Sequence, residues 1–210
     1  MDRGVLSALV GRALGLLSDL AVRSETDIEW GELRSHDTRE EAVSVSIYHA
    51  SVPMFLHSLG ALESVLTKAE ANAAERKIEP SVLVNSRLAP DMFPLKGQVQ
   101  LASDHAKGAS SRLAGRENPR YEDTEETFAD LHARIAKTRD YLGTFTEAEF
   151  EGAEDRPILI KGRVRDLNFT GLQYLQHFAL PNFFFHVTTA YDILRHNGVP
   201  LSKVDFLGGR

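Results

Sequence analysis

The chain has no cysteine in 210 residues, which excludes a disulfide framework, a thiolate metal centre and a cysteine nucleophile together. Any metal would have to be held by His, Asp, Glu, Asn or Gln. An excess of basic residues is also missing: 24 Lys and Arg stand against 30 Asp and Glu, for a net charge of -6. Neutralising a phosphate backbone needs clustered cationic surplus, so no nucleic-acid partner is expected. Long apolar runs are absent as well. The stretch from Val5 to Leu17 is interrupted by Arg12 and followed by Asp19, which falls short of the roughly 18 to 20 residues that span a bilayer. Its flanks are too poor for a secretory leader, and a cytoplasmic protein without membrane attachment is expected. There is no Gly-rich phosphate loop, nucleophile elbow, His-Glu-x2-His or dinucleotide fingerprint either.

What is present is the composition of one soluble domain with an appendage, 42% hydrophobic and 26% charged. Residues 1–44 read apart from the rest. Leu6, Leu9, Val10, Leu14, Leu17 and Leu20 share one helical face, and the polar stretches at 23–27 and 34–41 follow as a linker. This is either an accessory amphipathic helix on a tether or a disordered leader, since an isolated helix of this length is marginal without a partner surface.

Residues 45–210 carry a helical period. Ile47, Val52, Phe55, Leu59, Leu62, Leu66 and Ala69 predict a first long helix from Ser46 to about Arg76, with Pro53 in its opening turn. Pro80 starts a short helix through Leu88. A second long helix is expected from about Asp91, as N-cap, to Leu113, closed by Gly115. Thr124 and Thr127 have capping-box spacing for a third helix with Phe128, Leu131, Ile135, Thr138 and Leu142 on its buried stripe. Between Arg156 and Phe169 the period changes to two, predicting a β-hairpin that turns near Gly162. A fourth long helix runs from Thr170 to about His196 and stops at Asn197-Gly198, with Pro200 behind it. The sum is an all-α four-helix bundle with a small hairpin before the last helix.

Eight histidines are the available transition-metal ligands. A bundle site favours pairs three or four residues apart on one helix face, and no His-x2-His or His-x3-His exists. His177 and His186, nine residues apart, fall on opposite faces unless Pro181 kinks the helix. His186 and His196 are separated by about 15 Å along the axis. Asn182 and His186 do face one way, either as a weak ligand pair or as a hydrogen-bonded pair needing no ion. His49 and His57 lie too far apart for one ion, His105 sits in the polar run Gln98–His105, and His36 and His132 read as exposed. The run Phe183-Phe184-Phe185 cannot point inward as a whole. At least one ring must cover a neighbouring element, a pocket wall or a subunit partner.

The motifs Ser46-Ile-Tyr-His-Ala-Ser-Val-Pro, Arg87-Leu-Ala-Pro-Asp-Met-Phe-Pro-Leu, Gln98-Val-Gln and His177-Phe-Ala-Leu-Pro-Asn-Phe-Phe-Phe-His-Val-Thr-Thr-Ala-Tyr span the domain. With the order helix, helix, helix, hairpin, helix they resemble the DinB/YfiT-like metalloenzyme superfamily, within it an uncharacterised branch. The resemblance implies an up-down-down-up bundle, often dimeric, with a cleft where relatives hold a divalent ion through three histidines. Counting back from Arg195, His186 falls on one of these ligand positions. Asn182 stands at its partner position, and the second helix offers Gln98 or Gln100 for the third.

Three functional readings follow from this set. The first is a bundle that binds a small molecule or partner through Gln98, Asn182, His186 and Tyr191, with its metal cleft lost. The second is a thiol transferase or hydrolase using zinc or nickel held by His186, Asn182 and, from the second helix, Gln98, another Gln or its only histidine, His105. The third is a structural or stress-associated homodimer with the phenylalanine run at its interface.

Overall fold

The structure, a computed structural model, describes residues 45–162 and 164–209. The expected extension over residues 1–44 lies outside the described residues. Helix α1 spans Val52–Glu75, the short α2 Pro80–Val84, α3 Leu95–Ala114 and α4 Phe128–Leu142. A 3-10 turn at Glu147–Phe150 leads to strands β1 (Ile158–Ile160) and β2 (Leu167–Phe169). Helix α5 (Gly171–Tyr174) continues through a π-turn at Leu175–Ala179 into α6 (Leu180–His196), and α7 (Lys203–Phe206) closes the chain.

The cross-helix contacts fix the direction of each long helix. Glu63 and Glu70 of α1 meet Arg139 and His132 of α4, so higher numbers oppose lower ones and the pair is antiparallel. Asp104 and Ser111 of α3 meet Arg134 and Tyr141 of α4 in the same order, so these two are parallel. Gln98 and Arg112 of α3 meet His186 and Tyr174 of the last helix in reverse order. Phe55 and Arg76 at the two ends of α1 meet Phe183 and Asn197. Helices α1 and α6 therefore run up and α3 and α4 down, the up-down-down-up arrangement of the bundle. Around the barrel the order is α1, α4, α3, α6.

The core is the set of inward stripes that the period marks. Phe55, Leu59, Leu62 and Leu66 of α1 are buried with Leu131 and Ile135 of α4 and Phe183, Ile193 and Leu194 of α6. Helix α3 contributes Ala102, Ala106 and Ala109, small residues that let its neighbours approach and leave room for the polar side chains beside them. The hairpin pairs Ile158 with Phe169 and Ile160 with Leu167. Gly162 lies in its connection, and its N–H donates to Asp166 Oδ1 at 3.3 Å. Gly171 sits where the last helix begins against the turn that follows the 3-10 segment, and an added Cβ there would overlap the Ala153 carbonyl oxygen.

Several boundaries differ from those the sequence suggests. Asp91 is not the N-cap of α3, which starts at Leu95 with Pro94 in the capping position. A residue before proline is disfavoured in the α region, so Phe93 is a poor helical residue and the helix starts after Pro94. The capping box of α4 is Thr127 with Asp130, not Thr124 with Thr127. The Asp130 carboxylate accepts from the Thr127 backbone N–H at 2.9 Å, while Asp130 N–H donates to Thr127 Oγ1 at 3.2 Å. Helix α2 ends at Val84 instead of reaching Leu88, and α1 begins at Val52 after a turn over 47–51, with Pro53 in its first turn. The kink expected at Pro181 is taken up by the π-turn ahead of it. Proline lacks an N–H and its ring crowds the carbonyl four residues back. The wider turn, in which Leu180 N–H donates to the Leu175 carbonyl, relieves both.

Candidate functional site

Gln98 occupies the first turn of α3 with only 1% of its surface exposed. Its Nε2 donates to the Phe93 carbonyl at 3.0 Å, in the loop bounded by Pro90 and Pro94. That bond turns Oε1 toward His186, whose Nδ1 lies 2.8 Å away. An amide oxygen only accepts, so His186 carries its proton on Nδ1 and leaves the Nε2 lone pair free. No protein group partners Nε2 among the described residues, and it is not among their buried unpartnered atoms, so it reaches solvent. Burial pushes the His186 pKa below the usual histidine range. The imidazole is neutral at pH 7.

His105 follows Gln98 by seven residues, which returns to the same helix face within about 20°. Its ring stacks on His186 with centroids 5.4 Å apart and planes 18° from parallel. Burial lowers its pKa to about 4, helped by His186 and Arg112 and opposed by Asp104. Both rings are therefore neutral, flat and adjacent. The sequence offers His105 only as an alternative metal ligand of the second helix, since pair spacing on one helix does not reveal a stack between two helices. The heptad step from Gln98 was the signal that could have found it.

His105 links the Gln98–His186 pair to a cavity of about 290 Å³. Asp104, Lys107, Arg112 and Asn118 supply its polar wall, and Ile160, Tyr174 and Phe178 its apolar wall. Lys107 is 3% exposed and pairs with Asp104 at 3.1 Å. Asp104 also accepts from Arg134 Nη2 at 2.9 Å, and the buried Arg134 bonds Asp123 and Glu125 at 3.0 Å through Nη1. Glu125 in turn accepts from Gln100 at 2.8 Å, which places Gln100 in this network and not beside His186.

The other expected residues go elsewhere. Asn182 Nδ2 donates to the Phe178 carbonyl at 2.6 Å, within the π-turn, and so braces the wide turn. Tyr191 packs edge-on against Phe206 of α7 with centroids 5.8 Å apart. Five residues from His186, it lies about 140° around the helix. His57 reaches the Leu207 carbonyl at 3.1 Å, His132 lies 3.9 Å from Glu70, and His177 and His196 are exposed. Of the phenylalanine run, Phe183 enters the core against Phe55, Phe184 is half-buried and Phe185 is 56% exposed.

The donor set does not fit the three-histidine centre that the resemblance implies. Lone pairs of imidazole nitrogens lie in the ring planes, and two rings stacked nearly parallel do not direct them at one point. His186 Nδ1 is committed to Gln98 as a donor. Among the described residues no group of three or more His, Cys, Asp or Glu is placed to hold an ion. None of their helices is long and apolar enough to cross a membrane.

Among solved structures the chain is similar to a DinB family member protein from Shewanella denitrificans, at 43% identity and a TM-score of 0.72, over 78% of this chain and 92% of that one. No functionally curated protein matches it. A family profile, described as Domain of unknown function (DUF1993), matches residues 47–207. With that profile spanning the four long helices and the stacked histidines alike, the chain belongs to the DUF1993 family of DinB-like domains.

Proposed function

We propose that residues 45–210 form a cytoplasmic domain that binds a small organic molecule directly, in a cleft where the metal centre of the fold has been replaced by a hydrogen-bonded polar wall. The observation that carries this reading is the Gln98–His186 pair stacked on His105, the ring that lines the 290 Å³ cavity. A buried glutamine spends both ends of its amide on fixing one histidine tautomer, and the neutral rings form a surface for stacking and for accepting a hydrogen bond at His186 Nε2. Gln98 and His186 back the wall by holding His105 from behind, while Asn182 supports it through the π-turn. Small-molecule sites are concave, largely apolar and fixed by a few convergent polar groups, which is the composition found here.

Elemental analysis of protein passed through chelator and dialysis tests it. Ion content well below one per chain is expected. Stoichiometric zinc or nickel, with a zinc-dependent melting temperature that His186→Ala abolishes, would favour the thiol transferase or hydrolase reading instead. A homodimer seated on Phe185 is a second reading, supported by the exposure of that ring at 56%. Light scattering that returns the monomer mass at all working concentrations removes it.

A further inference from the structure

Among the residues that line the cavity, two cations, Lys107 and Arg112, stand against one carboxylate, Asp104. Lys107 and Arg134 share Asp104, and Arg134 also holds Asp123 and Glu125. Arg112 has no carboxylate within ion-pair distance among the described residues. Its only polar bond among the described residues is from Nη1 to Tyr174 Oη at 3.2 Å.

The path of the Arg112 side chain shows where it is aimed. Arg112 stands in the last turn of α3, where an arginine would ordinarily serve the free carbonyls and negative end of the helix. Its side chain leans toward the helix N-terminus, over Gly108, and away from those carbonyls. A Cβ added at Gly108 would sit 2.6 Å from Arg112 Nη1 and 3.4 Å from Asn118 Nδ2. The glycine therefore makes room for the guanidinium and the amide to lie side by side at the polar wall. Opposite them stand Tyr174, Phe178 and Ile160.

We infer that this cavity takes a small organic monocarboxylate, held by Arg112 and Asn118 with its hydrocarbon or aromatic body against Tyr174, Phe178 and Ile160. The inference rests on the ligand-binding reading above and narrows it to a ligand class. A planar guanidinium matches a carboxylate through two parallel N–H···O bonds. Arg112, the lining cation without an ion-pair partner among the described residues, matches a monoanion. A phosphate dianion would bring a second negative charge beside Asp104, whose side chain is 37% exposed. At about 290 Å³ the space is near the lower end of small-molecule sites, which run from roughly 300 Å³ upward, so the body is metabolite-sized.

Titration calorimetry on the full chain with butyrate, benzoate and phenylacetate, each against its neutral amide, and with inorganic phosphate, tests this. At least one acid is expected to bind about tenfold tighter than its amide, since a charge-assisted bond is lost in the amide. Arg112→Leu and, independently, Gly108→Ala should abolish that preference, and Arg112→Lys should retain part of it; circular dichroism confirms that each variant folds. Equal binding of acid and amide overturns the carboxylate class and leaves the ligand-binding reading standing. Phosphate binding tighter than every acid overturns the monocarboxylate assignment in the same way. Absence of binding by every acid and every amide overturns both.

Discussion

Replacing Gln98 by leucine keeps the volume of the side chain and deletes both hydrogen bonds of its amide, to His186 Nδ1 and to the Phe93 carbonyl. Phe93 lies in an exposed loop, so water can take over its carbonyl. The His186 Nδ1–H has no such recourse. An orphaned buried donor costs about 1–3 kcal/mol, but histidine can move its proton to the solvent-facing Nε2, so the loss should fall near the lower end, about 1–2 kcal/mol. His186→Phe leaves Gln98 Oε1 orphaned and should cost about 2 kcal/mol. The double variant removes donor and acceptor together, and the two costs should fall short of adding by about 1 kcal/mol. Urea denaturation at pH 8, where both rings of the stack are neutral, reads these values. A ¹⁵N imidazole spectrum reads the cause: an Nδ1–H tautomer for His186 in the parent, converted to Nε2–H by Gln98→Leu. Additivity within about 0.5 kcal/mol, or an Nε2–H tautomer in the parent, would refute the role given to Gln98.

Gly171→Ala drives a methyl group into the Ala153 carbonyl, a backbone atom that cannot swing aside, and should lower stability by about 3 kcal/mol in the same urea assay. Arg134→Met leaves Asp104 and Glu125 without their shared cation; a loss of about 3 kcal/mol is expected in thermal unfolding at pH 7, shrinking in acid as the carboxylates are protonated. The His105 value of about 4 in the fold lies below the unfolded value of about 6.5, so the unfolded chain binds more protons between them. Stability should therefore fall as the pH drops from about 6.5 to 4, by up to about 1.4 kcal/mol per unit, and be insensitive to this group above that window; comparison of unfolding curves for the parent and His105→Phe isolates the effect.

The bundle was legible in the sequence because helix stripes and stop signals are local. The period marks Phe55, Leu59 and Leu62, and the left-handed glycines Gly115 and Gly198, with φ of 72° and 85°, end their helices as the pattern requires. Helix starts were harder to place. Asp91 has the right chemistry for a cap, but Pro94 overrides it. Asp130 completes a capping box that the Ser/Thr-x-x-Glu/Gln pattern does not specify. The site was the least legible part, because its components come together only in three dimensions. Gln98 and His186 are 88 positions apart, and Arg134 gathers carboxylates from α3 and from the loop before α4. Ligand spacing drew attention to Asn182 and away from His105, which lies on another helix from its stacking partner.

The π-turn at Leu175–Ala179 sets the phase of the last helix. Tyr174 and His186, twelve positions apart, both face α3, through Arg112 and Gln98. At about 100° per residue an unbroken α-helix would set them about 120° apart, and absorbing one residue in the wide turn brings them within about 20°. The surplus residue thus acts as a frame correction that aligns two otherwise incompatible halves of one helix onto α3. Excising one residue between 175 and 179 would remove the wide turn and, by doing so, swing His186 about 100° away from Gln98.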